Sequence, residues 1–271
     1  MFSIKDQLGN TVEIGNYPPK RIVSVVPSQT ELLYDLGLDE EVAGITKFCI
    51  HPEQWFRSKT RIGGTKNLDI EKIKSLQPDL IIANKEENVK EQIDALKQIA
   101  PVFVSNIANV NEALEMINMV GMLTGKNDEA NILAKQIIAA LKKLPVHLTP
   151  VPACYFIWRE PYMTVGSDTF IDDMMKRCGL QNIFGDKNRY PETTLEEIID
   201  RGCKMILLSA EPFPFKEKHV IEIRKRIPEV SNPKQVKDEI KIILVDGEMF
   251  SWYGSRMLKA VGYFERFLID D

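Results

Sequence analysis

Aromatic and charged side chains cluster directly after short apolar runs in the second half of the chain. The run Lys241–Val245 is followed by DGEMFSWYGSR (Asp246–Arg256), and two earlier runs are followed by WREPYM and SAEPFPF. An ordinary turn needs Gly, Asp or Ser rather than several aromatic rings. Rings combined with a few charges are typical of a pocket for a small ligand, so these segments are the first candidates for chemistry.

Some of these residues are candidates for an apolar wall, and others for polar contacts to a ligand. The wall candidates are Trp158, Tyr162, Phe213, Phe215, Phe250, Trp252 and Tyr253. Several of these rings are alternatively candidates for the core, and Phe250 in particular for packing the helix that follows it. Arg159 and Lys85 suit ligand carboxylates or phosphate, and Glu86, Glu248 and Arg256 suit other polar contacts. Phe213 and Phe215 lie among prolines, which predicts display rather than burial inside a strand.

The first half of the chain carries a similar polar segment, PSQTE, after the apolar run RIVSVV. The spacing predicts a capping box, in which Ser28 binds the amide three residues on and Glu31 reaches back to the helix start. Free amides at such a helix start can also hold an anionic group, which makes Ser28 a ligand candidate. Glu31 is expected to be structural.

The histidines and cysteines of the chain are the first residues to consider as metal ligands. In TKFCIHP, Phe48 and His51 are ligand candidates, because Pro52 favours an extended turn and a neutral imidazole can ligate a chelated metal. Polar surface is the alternative for His51. His147 is expected in a solvated linker and His219 on a helix surface. No His-x-x-x-His spacing indicates zinc, so no resident metal is predicted.

The four cysteines are too scattered for a CxxC motif: Cys49, Cys154, Cys178 and Cys203. Buried free thiols are favoured over disulfides. No phosphate-binding glycine motif and no nucleophile elbow occurs, so an enzyme is not predicted.

Net charge and the lengths of the apolar runs exclude further classes of protein. The chain has 271 residues and a net charge of -4, and it lacks a basic stripe, which argues against nucleic acid. No apolar run approaches the length of a membrane span. The N-terminus does not resemble a signal peptide, so a cytoplasmic location and a removed signal are both open.

The elements that must position these residues alternate between strands and helices. A hairpin is predicted over residues 2–14, then strands at 22–26, 42–45, 80–83 and 102–104, with helices at 87–99 and 111–124. The second half predicts strands at 153–157, 205–208 and 241–245, and helices at 169–178, 195–200, 216–226 and 255–267. This pattern predicts α/β lobes at 1–125 and 146–271, joined by an amphipathic helix at 126–145.

Four stretches, two in each half of the chain, give the sequence a family resemblance. RIVSVVPSQTELLYDLG with TRIGGTKNLDIEKIKSLQPDLIIANKEEN, and TVGSDTFIDDMMKRCGLQNIF with RYPETTLEEIIDRGCKMILL, resemble the substrate-binding proteins of ABC importers. The similar group is the helical-backbone class that binds cobalamin, haem and ferric siderophores. The resemblance implies two Rossmann-like lobes on one long rigid helix, with a ligand cleft between the lobes.

The resemblance also implies partners and residue roles. Tyr190 matches a ligand-contacting aromatic, whereas Thr65 and Asn84 stand where the cobalamin binder has aromatics. Glu71 and Glu196 match the acids that dock on permease arginines, and helix first turns are their other explanation, with Thr193 capping the helix of Glu196. The expectations are a monomer without a resident cofactor, a corrinoid-like or ferric-siderophore ligand, and an ABC permease partner. The permease is then the only contact with the membrane, and the location is periplasmic or at the cell surface.

Two other functions stay open at this point. A cytoplasmic sensor or carrier of metal chelates could have the same fold. A metallo-oxidoreductase component could use the four cysteines as ligands to a cluster.

Overall fold

A computed structural model describes residues 1–145, 149–230 and 240–269 of the chain. The strands are β1 Phe2–Lys5, β2 Thr11–Ile14, β3 Ile22–Ser24, β4 Val42–Ile45, β5 Thr60–Arg61, β6 Gly63–Gly64, β7 Asn67–Leu68, β8 Leu80–Asn84, β9 Val102–Ser105, β10 Val151–Phe156, β11 Tyr162–Met163, β12 Leu180–Asn182, β13 Glu192–Thr193, β14 Met205–Ser209 and β15 Lys241–Val245. The helices are α1 Pro27–Asp35, α2 Glu53–Ser58, α3 Ile70–Ser75, α4 Lys90–Leu96, α5 Val110–Thr124, α6 Asn127–Leu141, α7 Phe170–Arg177, α8 Leu195–Asp200, α9 Glu217–Val230, α10 Gly247–Ser251 and α11 Met257–Ile269.

The first sheet is all parallel, with strand order β5-β4-β3-β8-β9. Every residue of β8 is buried, as expected for a central strand that is covered on both faces. One core cluster on this sheet combines Val23, Ile81 and Leu96 with other aliphatic residues. The N-terminal hairpin of β1 and β2 pairs antiparallel as predicted, with Gly9 at φ +83° in its turn.

The second sheet is also all parallel, with strand order β12-β10-β14-β15. Its central strand β14 is buried at all five positions. Phe156, Phe184 and Ile206 belong to the core cluster of this sheet, together with Phe215 and Ile223. The predicted parallel α/β architecture is therefore confirmed for both sheets.

The chain divides into two compact units. Unit 1 contains residues 1–107, 111–139 and 253–258, and unit 2 contains 108–110, 140–252 and 259–271. The predicted connecting helix is observed as α6, whose 15 residues span about 22 Å. Most of α6 is grouped with unit 1, and so is a short piece of the C-terminal region that the sequence pattern placed in the second lobe. The predicted boundary at residue 146, and His147, lie outside the described residues.

All four cysteines are free and buried, as the sequence predicted. Burial raises the pKa of the Cys49 thiol and raises the pKa of Cys154 well above its ordinary value. Burial also raises the pKa of both Cys178 and Cys203 to about 12. A raised pKa keeps the thiol protonated at neutral pH, so these cysteines are packing residues rather than nucleophiles.

We expect the native protein to be nearly inert to thiol reagents at pH 7–8. Because the thiolate is the reactive form and all four side chains are buried, a colorimetric thiol titration should find fewer than about one reactive thiol per chain. The same titration in denaturant should find all four. Fast reaction of two or more thiols in the native protein, or fewer than four in denaturant without reductant, would contradict this packing.

Candidate ligand-binding site

The carboxyl edge of the first sheet has a topological switch point between β3 and β8. These strands are neighbours, but the chain leaves β3 toward β4 and leaves β8 toward β9, on opposite sides. The loops that follow them therefore separate and leave a crevice, which is where open α/β sheets bind ligands. Residues 25–26 and 85–89 form these two loops.

A buried amide network fixes the loop after β8. The Asn84 carboxamide oxygen accepts hydrogen bonds from the amides of Glu86 and Glu87 at 2.8 and 3.0 Å. The Asn88 side chain donates to the carbonyls of Val25 and Thr65, both at 3.1 Å, and so ties this loop to the one after β3. Asn84 is thus a structural residue of the edge, which the resemblance alone did not indicate.

The side chains at this edge combine an aromatic ring with charges of both signs. Phe48 is 51% exposed, and the Lys47 ammonium lies 5.1 Å from its ring centroid. Lys85 is exposed and Glu86 is partly exposed, as ligand contacts require. Burial raises the pKa of the Glu87 carboxyl, nearby Glu86 raises it further, and Lys66 opposes the shift.

The predicted capping box at the start of α1 is wrong. Val26 occupies the N-cap position without a side-chain cap, Pro27 is the first helical residue, and Ser28 is the second and buried. Proline suits this position because it has no amide hydrogen to satisfy. Glu31 instead receives bonds of 2.7 and 2.8 Å from the guanidinium of Arg256. Glu31 is structural, as expected, but through a contact that spans the sequence.

The carboxyl edge of the second sheet has its own switch point, between β10 and β14. The Tyr155 hydroxyl donates to Ser209 Oγ at 3.0 Å, at the end of β14. One carboxylate oxygen of Glu211 accepts from the Trp252 indole at 3.0 Å and from Ser251 Oγ at 2.7 Å. Glu211 therefore fastens the loop after β14 to α10, which follows β15.

The aromatic residues after β10 and β14 divide into exposed and buried rings. Trp158 is 42% exposed, and its ring packs edge-to-face with the ring of Phe213, with 5.8 Å between the ring centroids. Phe215 is buried instead of displayed, because the chain folds back so that its amide bonds the Ser209 carbonyl. His219 is buried against both phenylalanines rather than on the surface, and burial lowers its pKa.

The segment 246–256 does not form a continuous wall. It contains the N-cap and all of the short helix α10, and then the residues that lead to α11. Asp246 caps α10, and a Cβ at Gly247 would lie 2.5 Å from Glu211 Cγ, so only glycine fits there. Phe250 is core, with its ring 4.9 Å from Phe264, as one of the two interpretations predicted. Trp252 is only 8% exposed.

The other candidates from this segment, and Tyr190, differ in their burial and in the unit to which they belong. Tyr253 and Arg256 are both buried and belong to unit 1, not to the second lobe in which the sequence placed them. Glu248 is partly exposed on α10, and its amide donates to Asp246. Tyr190 is partly buried, with the Arg189 guanidinium 5.7 Å from its ring centroid.

Arg159 and Tyr162 line a cavity of about 290 Å³ within unit 2, together with Glu196. Arg159 forms ion pairs of 2.9 Å with Glu160 and Glu222, so its charge is already matched. Tyr162 stacks on Phe156 at 4.7 Å. The structure therefore groups these two predicted ligand residues with a predicted docking residue.

The two predicted docking acids occupy equivalent local positions. Glu71 is the second residue of α3, whose N-cap Asp69 accepts from the Lys72 amide, and Glu196 is the second residue of α8. The cap of α8 is Thr194, one residue later than predicted. Both acids are exposed, and bonds from its own amide and from the Thr194 hydroxyl lower the pKa of Glu196.

The described ranges contain no group of three or more His, Cys, Asp or Glu side chains placed to hold a metal ion. His51 is partly exposed in the loop after β4. Its proposed ligation of a chelated metal remains a prediction. The arrangement gives no support to a cluster held by the cysteines.

Comparison with known proteins agrees with this architecture. The profile of the periplasmic binding protein family matches residues 22–237. An uncharacterized ABC transporter substrate-binding lipoprotein of Bacillus subtilis is 29% identical over 201 residues, which are 67% of this chain and 60% of that protein. The vitamin B12-binding protein of Vibrio campbellii is 26% identical over 199 residues, 72% of each chain.

Among solved structures, the periplasmic haem-binding protein of Roseiflexus sp. RS-1 matches with a TM-score of 0.76 at 21% identity. The match covers 92% of this chain and 98% of that one. The fold and the family profile thus define an α/β binding protein built from two compact units. The chain belongs to the periplasmic binding protein family. Across the described residues, no helix has the length and apolar character that crossing a membrane takes.

We expect the two predicted wall tryptophans to differ sharply in their contribution to stability. Trp252→Ala removes a buried ring and the partner of Glu211, so it should lower the free energy of unfolding by about 3–5 kcal/mol. Trp158→Ala should cost about 1 kcal/mol or less, because much of its ring is in solvent. Urea unfolding followed by circular dichroism measures both. Similar losses in the two variants would contradict the assignment.

Proposed function

We propose that this protein is the substrate-binding component of an ABC importer. The observation that carries the proposal is the family match over residues 22–237, which includes most of both sheets and their strand-end loops. The relatives named above are substrate-binding or ligand-binding proteins, which agrees with a non-enzymatic role. A cytoplasmic sensor of the same fold is less favoured, because none of these relatives has that role.

The proposed ligand is a metal chelate such as a corrinoid, haem or a ferric siderophore. Two of the similar proteins are a vitamin B12-binding protein and a haem-binding protein, and both of these ligands are large, flat-cored chelates. Each unit has an exposed ring after a strand, Phe48 in unit 1 and Trp158 in unit 2, and such a ring offers apolar contact to a flat chelate. The chelate is cargo, and no resident cofactor is proposed.

The proposed partner is an ABC permease, which would receive the chelate from a monomeric binding protein outside the cytoplasmic membrane. Two of the similar proteins support this location, since one is a lipoprotein and the other is periplasmic. Glu71 and Glu196 support docking, because each is an exposed carboxylate at the start of a capped helix. Each unit thus has one negative charge at the second residue of a capped helix.

We expect one chelate from a panel of cobalamin, cobinamide, haem, ferric siderophores and free divalent ions to bind with micromolar or tighter affinity. Tryptophan quenching measures binding, and Phe48→Ala and Trp158→Ala should each weaken it by about tenfold or more, since buried aromatic contacts dominate binding energy. Ile221→Ala is the control, since it truncates a comparably exposed side chain on α9. Failure of every chelate to bind the wild-type protein would refute the proposed function.

We expect charge reversal at both docking acids to stop transport without changing ligand affinity. Glu71→Arg with Glu196→Arg places repulsion where the permease is proposed to bind, and both side chains are exposed. Glu91→Arg with Glu217→Arg is the matched control, because these acids also lie exposed in helix first turns. Uptake assays and chelate titrations separate the outcomes. Equal loss of affinity, or normal uptake, would refute the docking role.

A further inference from the structure

A six-residue segment near the C-terminus, Tyr253–Leu258, belongs to unit 1 although its chain neighbours on both sides belong to unit 2. We call this segment the clasp. Its presence in unit 1 needs a physical cause, because nothing in its local sequence pattern indicates it. The cause is a contact with α1 that joins residues 225 positions apart.

The clasp is held by a buried ion pair. The Arg256 guanidinium gives two parallel bonds to the carboxylate of Glu31, at 2.7 and 2.8 Å, and both side chains are at most 5% exposed. A planar guanidinium fits a carboxylate in this way and a lysine ammonium does not. Removing either side chain would leave the other charge buried without this ion pair, which is strongly destabilising.

A close backbone contact adds to the ion pair. Gly254 has φ +124°, a conformation that other residues rarely adopt, and a Cβ there would lie 3.3 Å from the Ser28 carbonyl oxygen. The clasp therefore lies directly on the first turn of α1. This turn follows β3 at the switch point of the first sheet, so the clasp borders the edge proposed to bind the ligand.

We propose that Arg256 is a positioning residue, which holds the clasp on α1 so that Tyr253 and Gly254 complete the carboxyl edge of the first sheet. Arg256 acts through Glu31 and does not itself contact the ligand. The part of this inference that concerns the ligand rests on the proposed function. The part that concerns the clasp does not.

Hydrogen exchange in the ligand-free protein tests the clasp. In Arg256→Lys the charge remains but the two parallel bonds are lost, so amides of the clasp and of residues 30–33 should exchange about tenfold faster than in the wild type. Amides of β8, in the same unit, should keep their rates. Unchanged rates in the clasp, or equal acceleration in β8, would overturn the proposal.

Two further variants keep this test decisive. Glu31→Gln preserves the side-chain shape and should produce the same local pattern, which guards against a defect peculiar to lysine. Arg201→Lys is the matched control, because Arg201 also contacts both oxygens of a carboxylate, that of Asp186, but in unit 2. It should leave the clasp unchanged. Faster exchange of the clasp in this control would mean that the effect is not local.

Titration with the tightest-binding chelate of the panel tests the positioning role. Arg256→Lys should weaken binding by about tenfold while circular dichroism shows the folded protein. Faster exchange with unchanged affinity would show a clasp that does not position the ligand edge, and would overturn that role. If no chelate binds the wild type, the proposed function fails, and the exchange data still decide whether Arg256 holds the clasp.

Discussion

Parallel strand pairing is the constraint on which the rest of this structure depends. Parallel neighbours require a crossover after each strand, so helices cover both faces and every strand of a sheet ends at the same edge. Both sheets here are parallel throughout. The loops that carry exposed rings and charges are therefore gathered at two carboxyl edges. A crevice opens at each edge where neighbouring strands are followed by connections in opposite directions, between β3 and β8 and between β10 and β14.

Each edge is fixed by one polar side chain that bonds across loops. In unit 1, Asn88 joins the loop after β8 to the carbonyls of Val25 and Thr65. In unit 2, Glu211 joins the loop after β14 to Trp252 and Ser251. Such buried or half-buried bonds make the loops rigid before any ligand arrives, which reduces the ordering cost of binding.

The sequence was sufficient to predict most of the regular structure. The alternation of apolar runs and helical periods predicted the hairpin, α6 and the parallel strands other than the edge strands β5 and β12 to within a few residues, because strand and helix periods are local properties. The strand-end segments also indicated which loops reach the edges. The family resemblance was confirmed by the profile match.

Long-range contacts could not be predicted in the same way. The capping box at Ser28 failed because Glu31 has a partner 225 residues away, which no local spacing reveals. Phe215 and His219 were expected in solvent, yet the chain folds back after β14 and buries both. Glu211 and Asn88 were not recognised as edge-fixing residues. A polar residue a few positions beyond a buried strand is the signal that could have found them.

The proposed cargo of this protein is a metal chelate. Native mass spectrometry tests it most directly, on protein equilibrated with an equimolar mixture of chelates and their metal-free ligands. We expect one retained molecule per chain, carrying the isotope pattern of its metal, and we expect the metal-free form of the same ligand to bind much more weakly or not at all. Retention of no chelate, or equal retention of the metal-free form, would contradict it.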